Sequence, residues 1–502
     1  MESPTPTDVL NMSLYDIRMK MNDPEVGYSL GSGDIYIRKI ESMNNNERSS
    51  YCLLMAEAVH SAIKSKQRID VEPQLYKALI DISRSGLNAI YENMKGQAPK
   101  GAEGVVYYNN DFNGNPDDAH LYSPFNYFIA LGHNGYDRPY EALNCLNKAI
   151  ADYSSLIDSF EKASVPVNDM KIDLADYKKL RIRIWMDIVE GLDKKKREDA
   201  YKIVIKSMLM LSKELWAIGE TKDAEAYKHQ CSIYAMNKKV KLSDAESFKT
   251  DIKKIVDDEN ISYQDWCWIN RYWLTPMNEF IDIPRQEWMS DDIGWKTSED
   301  NVIRINDIMR TYNHCRMGLY EFTRTPRMER AREIEDDSFD RLLDCYLRLY
   351  SIIDKTMKLI ATDILHGAPD KEIKFWELQK NEKFTNKQKN CKDLKFITDL
   401  CWDMSVDEKD RDRGFIDSFY TIHRVKLPPG VIRNLAIHSA VKIIDSNQKD
   451  RKWWDNIVVI SPIDLEVEVK KLMLQVRELL LGLQKAMMNG AGKLPDELEK
   501  II

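Results

Sequence analysis

Helix-breaking residues are scarce in this chain: 17 prolines and 20 glycines are spread over 502 residues. That scarcity excludes collagen-like and low-complexity architectures and leaves helices free to run nearly everywhere. Long apolar stretches are missing as well. None approaches the roughly 18 residues needed to span a bilayer, and Met1-Glu2-Ser3-Pro4-Thr5 has neither the basic nor the apolar part of a secretory leader. The expectation is a cytoplasmic protein with no membrane contact. Eight cysteines occur singly, with no Cys-x-x-Cys pair, which excludes a disulfide framework and predicts free thiols. Positive charge is not in excess either. At a net charge of −8, general polyanion binding is excluded and any nucleic-acid contact needs a local basic patch. No Gly-x-x-x-x-Gly-Lys, His-Glu-x-x-His or Gly-x-Ser-x-Gly template occurs. His229-x-Cys231 is an isolated pair that reads as helix surface. No metal or cofactor is expected.

What is present is a soluble, helix-rich composition, 43% apolar and 31% charged, long enough for two to four domains with proper cores. Residues 1 to about 50 are mixed, with polar turns at Gly31-Ser32-Gly33 and Asn44-Asn45-Asn46. From about 50 to 250 the pattern predicts successive helices, interrupted from Gly96 to His120 by a segment rich in Gly, Asn and Asp that reads as an exposed loop.

Two stretches have the character of helical hairpins. In one, Tyr127, Ala130, Leu131 and Gly132 precede a turn at Asn134-Gly135, then Ala142, Leu146 and Ala149 follow at helical spacing. The other runs Leu215-Trp216-Ala217-Ile218-Gly219, turns, and continues through Ala224, Ala226, Tyr227, Cys231 and Tyr234. Small residues let antiparallel helices approach and large ones fill the groove between hairpins. The pattern resembles degenerate tetratricopeptide repeats, although the step from Gly132 to Ala142 is two residues short of that repeat. An ordinary helical bundle is the competing reading.

Residues 263–295 hold five tryptophans: Trp266, Trp268, Trp273, Trp288 and Trp295. They read as a hydrophobic wedge in preference to a base-stacking platform, because the surrounding charges are chiefly acidic. From 339, Phe339, Leu342, Leu343, Tyr346, Leu349, Tyr350, Ile353, Met357, Ile360 and Ile364 repeat at three- and four-residue steps and predict a long amphipathic helix stopped by Gly367 and Pro369. A connection rich in lysine follows, including Lys387, Lys389 and Lys392. Helices are then expected around 393–404, over the segment containing Arg433 and His438, and along Val469, Leu472, Met473, Val476, Leu479, Leu480 and Leu483. Four core helices with the polar motif on the third describe a compact bundle.

That polar motif is Ile432-Arg433-Asn434-Leu435-Ala436-Ile437-His438, preceded by Pro428-Pro429-Gly430, where a helix should begin. It joins a phosphate-binding cation to an imidazole able to move protons near neutral pH. The spacing alone is weak, since about one such Arg–His pair is expected by chance in a chain this rich in arginine. On a helix Arg433 and His438 lie about 140° apart, whereas Asn434, His438 and Lys442 share one stripe.

Arg433-Asn434-x-x-x-His438 on such a bundle resembles the HEPN domain of prokaryotic ribonuclease toxins and abortive-infection proteins, and more specifically HEPN proteins fused behind tetratricopeptide repeats. Four further strings carry the likeness. Asp265-Trp266-Cys267-Trp268-Ile269-Asn270-Arg271 with Pro276-Met277-Asn278-Glu279 is similar to a Trp-Cys…Asn-Arg…Asn-Pro-Leu-Asn segment. Ile305-Asn306 leading to Arg316 and Tyr320-Glu321 resembles its next helix. Leu349-Tyr350-Ser351-Ile352-Ile353-Asp354-Lys355 resembles its opening bundle helix, and Val476-Arg477-Glu478 its closing one. The likeness spans about residues 263–488. Thr275 and Met277 depart from it, and Ser439-Ala440 follows His438 without the tyrosine that partner nucleotidyltransferases modify in some such toxins.

The resemblance implies an all-α chain with tetratricopeptide-like repeats over 1–260, a Trp-rich connector over 261–335, a HEPN four-helix bundle over 336–490 and a tail over 491–502. It also implies metal-independent RNA cleavage at a site shared across a homodimer, serving antiphage defence or abortive infection, with a protein or phage-derived trigger acting on the repeat half. His438 would serve as general base or acid and Arg433 would stabilise the charged phosphorane. Asn434 would hold the imidazole or a phosphate oxygen, with Lys442 a lesser candidate. Asp354 would orient the histidine, and Lys387, Lys389 and Lys392 would hold the RNA backbone. In the competing reading Arg433 and His438 satisfy each other or backbone groups inside the bundle, the lysines are a solvated loop, and the protein is a non-catalytic helical scaffold or a nucleotide- or RNA-binding module.

Overall fold

Ser13 opens the first well-defined helix with a reciprocal cap. Its hydroxyl accepts from the Asp16 amide while the Asp16 carboxylate accepts from the Ser13 amide and hydroxyl, which satisfies donors a helix start leaves orphaned. The computed structural model describes residues 11–31, 35–41, 45–65, 72–97, 116–192, 194–248, 262–276, 299–324, 337–365, 420–422, 425–427, 440–443, 457–460 and 462–488. These residues are overwhelmingly helical, as an all-α class requires, and none of their helices is long and apolar enough to cross a membrane. The chain divides into two compact units, Met1–Asp251 and Ile252–Ile502.

In the first unit the helices are α1 (Leu14–Lys20), α2 (Pro24–Gly31), α3 (Ile35–Glu41), α4 (Asn45–Ser65), α5 (Glu72–Gln97), α6 (Pro116–Gly135), α7 (Pro139–Lys162), α8 (Asn168–Glu190), α9 (Lys194–Ala217), α10 (Thr221–Lys238) and α11 (Leu242–Ser247). From α4 to α10 each helix packs on the next, and α6 also touches both α4 and α8. Short turns join α6 to α7 and α9 to α10, so these pairs are antiparallel hairpins. They are the two hairpins that the small-residue pattern predicts. At the first, Asp137 takes a left-handed φ of 56° and Pro139 starts the next helix. At the far end of α10, Lys239 closes the helix in the left-handed conformation, φ 58°. The segment read as a loop is shorter than composition suggests: α6 already begins at Pro116. Pro116, Asp117 and Asp118 are favoured in a first helical turn, which explains why a polar composition misled.

A core built from Ile17, Val26, Leu30, Met55, Val59, Leu79, Ile82 and Phe125 binds α1 through α6. Gly27 lies directly against the Ala58 carbonyl, where any Cβ would collide, and so lets α2 lie flush on α4.

The second unit contains α12 (Tyr263–Ile269), α13 (Glu299–Arg324), α14 (Asp337–Leu365) and α15 (Pro462–Met488). Helix α14 packs on both α13 and α15. Its buried stripe, Leu342, Tyr346, Leu349, Tyr350, Ile353, Met357 and Ile360, is the one periodicity marks out. Along α15, Val469, Leu472, Met473, Val476, Leu479, Leu480 and Leu483 are all buried. Among the described residues the strands are β1 (Tyr420–Ile422), β2 (Val425–Leu427), β3 (Ala440–Ile443) and β4 (Ile457–Ile460). The first two pair antiparallel, Tyr420 opposite Leu427, and the last two pair parallel, Ala440 opposite Ile457.

Candidate functional site

Of the residues singled out by the sequence, Arg433, Asn434, His438, Lys387, Lys389 and Lys392 lie outside the described residues, as do the helix expected around 393–404 and Trp288 and Trp295. Asp354 lies on the exposed side of α14. Lys442 lies on β3, which corrects its placement on a helical stripe with Asn434 and His438. The reason is local: Val441 and Ile443 are β-branched, alternate with period two, and pair with the uniformly β-branched run Ile457-Val458-Val459-Ile460. The described residues bring no two of these candidates together.

What the second unit does bring together are three of the four strings flanking the motif. The Arg316 guanidinium on α13 is 3% exposed and reaches three partners. Nε donates to the Tyr263 hydroxyl at 2.8 Å, Nη1 to the Tyr272 carbonyl at 3.0 Å, and Nη2 to Asn313 Oδ1 at 2.9 Å. It also lies 4.5 Å above the Trp273 ring, a desolvated cation–π contact. Burial pushes the Tyr263 phenol up to about 12, so it remains a neutral hydroxyl.

From α15, Arg477, 1% exposed, donates to the Trp273 carbonyl at 2.7 Å and the Thr275 carbonyl at 2.9 Å. The Tyr312 hydroxyl donates to the Tyr272 carbonyl at 2.9 Å. Side chains from α13 and α15 therefore converge on the backbone of residues 272–275, and Arg271 turns the chain there with φ 57°. Trp266, Trp268 and Trp273 are buried at this junction, with Trp266 and Tyr320 rings 5.4 Å apart. The wedge that the sequence places in a connector thus packs against α13 and α15.

This arrangement fixes a loop. Both guanidiniums spend their donors on main-chain carbonyls and neighbouring side chains. Sequence reasoning did not single out Arg477 as buried. The signal was there: it sits in an otherwise apolar helical register between Met473 and Leu480.

The first unit carries two polar clusters that sequence reasoning missed. Between α5, α6 and α7, His133 Nδ1 lies 3.2 Å from Glu141 Oε2, Arg138 lies 3.6 Å from the same oxygen, and Arg84 lies 3.3 Å from His133 Nε2. The first contact has ion-pair distance without hydrogen-bond angles. The second cluster crosses α4, α6, α7 and α8. Tyr127 stacks on Tyr177 at 4.4 Å, His60 meets the rings of Tyr127 and Phe128 edge-on, and the Tyr153 hydroxyl donates to Asp173 at 3.2 Å. Burial drives His60 down to about 4, with the Lys64 cation adding to the effect, and it raises the Glu57 and Asp173 carboxyls. No signal short of knowing which helices touch reveals this grouping. Among the described residues no cluster of histidine, cysteine and carboxylate ligands is arranged to hold a metal ion. No family model, curated protein or solved structure matches the chain.

Proposed function

We propose that the chain is a metal-independent endoribonuclease of the HEPN type, acting in antiphage defence or an abortive-infection response. The observation that carries this reading is Arg433-Asn434-x-x-x-His438 standing in order among the four flanking strings. Short strings are easily matched by accident. What supports three of these is that Arg316, Tyr320 and Arg477 meet the segment carrying Trp266 and Trp273. His438 takes the proton of a ribose 2′-hydroxyl or gives one to the leaving 5′-oxygen, and Arg433 stabilises the extra charge on phosphorus. Asn434 positions the imidazole. A second protomer completes the site, and the lysines Lys387, Lys389 and Lys392 follow the RNA backbone. The repeat-like first half, about residues 1–260, restrains the bundle of about 336–490 until a trigger binds.

The test compares the intact chain with Arg433→Ala and His438→Ala on purified RNA with and without a chelator. Cleavage leaving 2′,3′-cyclic phosphate ends, unaffected by chelator and reduced at least about 100-fold in each variant, is expected. Equal RNA integrity in all three, even with a known trigger present, favours a second reading, a non-catalytic helical scaffold or RNA-binding module. One observation leans that way: Lys442 lies on β3, so the polar stripe behind His438 is shorter than a helix through 442 would make it.

A further inference from the structure

Helices α13 and α14 bring two cysteines face to face. Cys315 Sγ donates to the Cys345 carbonyl at 3.6 Å, and Cys345 Sγ donates to the Cys315 carbonyl at 3.6 Å. A reciprocal contact of this kind requires both Cβ–Sγ bonds to point into the same gap, each toward the other residue's backbone. Gly318, one turn along α13, sharpens the approach: a Cβ there would lie 2.8 Å from Cys345 Sγ. Both cysteines are essentially without solvent exposure, at 0% and 2%. The two sulfurs therefore lie in one gap between α13 and α14, each against the backbone of the other residue.

We infer that Cys315 and Cys345 form a dithiol that closes to a disulfide, stapling α13 to α14, when hydrogen peroxide reaches it. Each thiol gives up one hydrogen, one S–S bond forms, and the peroxide accepts the two electrons and two protons and leaves as two waters. The neighbouring Cys345 thiol and then burial hold the Cys315 thiol protonated far above its ordinary range, so the sealed pair is slow to react. Closure is therefore gated by local separation of α13 from α14, and its rate follows that opening. Cys52, Cys145, Cys231 and Cys267 are not in disulfides.

The experiment treats the full chain with hydrogen peroxide, blocks remaining thiols under denaturing conditions, and maps the unreduced digest by mass spectrometry. The expected result is a peptide pair joined through Cys315 and Cys345 as the dominant link, two thiols lost per chain, and reversal by dithiothreitol. The linked chain should also unfold at higher temperature. Cys315→Ser and Cys345→Ser should each abolish that link, and the wild-type map decides the matter should either variant fail to fold. Quantitative alkylation of both cysteines after peroxide has oxidised other thiols overturns the inference, as does a dominant link joining either to a different cysteine.

Discussion

His60 is a residue whose surroundings set its charge. Between the rings of Tyr127 and Phe128 and near the Lys64 cation, its imidazole is neutral down to about pH 4. An unfolded chain takes the same proton near 6.5. The folded state therefore binds protons less readily, so the contribution of His60 is full above pH 6.5 and is lost as pH falls from 6.5 towards 4. Its upper size is about 3 kcal/mol. Glu57 and Asp173, raised by burial, act oppositely, since folding is relieved when they protonate. His60→Leu should flatten the acid limb of stability between pH 6.5 and 4, measured as urea midpoints across that range. An unchanged limb would show that His60 does not govern it. Sequence could not deliver this residue's role: His60 stands alone in the chain, and its partners arrive from α6 and α8.

At the scale of elements, periodicity reported what it physically encodes. The stripe beginning at Phe339 gave α14, which extends over Asp337–Leu365, and the apolar face from Val469 gave α15, because one buried face leaves a 3.6-residue trace. Turns with glycine and small flanking residues marked α6–α7 and α9–α10. The same logic failed at Lys442, where four residues are too few to separate a buried strand from a helix. It failed again at the 270–276 loop, whose conformation depends on cations from helices far along the chain. Of the candidate site, the motif's residue types were legible but its geometry was not: Arg433 and His438 are useful only once something fixes their separation.

The loop's dependence on α15 can be tested. Arg477→Met should leave the Trp273 and Thr275 carbonyls short of their donor and destabilise the second unit by about 3 kcal/mol or more. Arg477→Lys, a single compact donor in place of a fork, should recover only part. Fluorescence of the buried tryptophans during urea unfolding reports both.

The whole molecule comprises two units, each with its own core. In the first, one core joins α1 through α6. A fragment ending at Asp251 should therefore be helical by circular dichroism and melt cooperatively. A fragment that is helical yet melts without cooperativity would contradict that expectation.

The bond from Arg477 to the Trp273 carbonyl joins positions 204 residues apart. Chains emerge from the ribosome at about 5–20 residues per second, so the tryptophan junction is made some tens of seconds before its last clamp exists. During that interval Trp266, Trp268 and Trp273 have no arginine from α15 to seal the loop beneath them. Nascent chains stalled before 462 should therefore be the form most avidly held by chaperones.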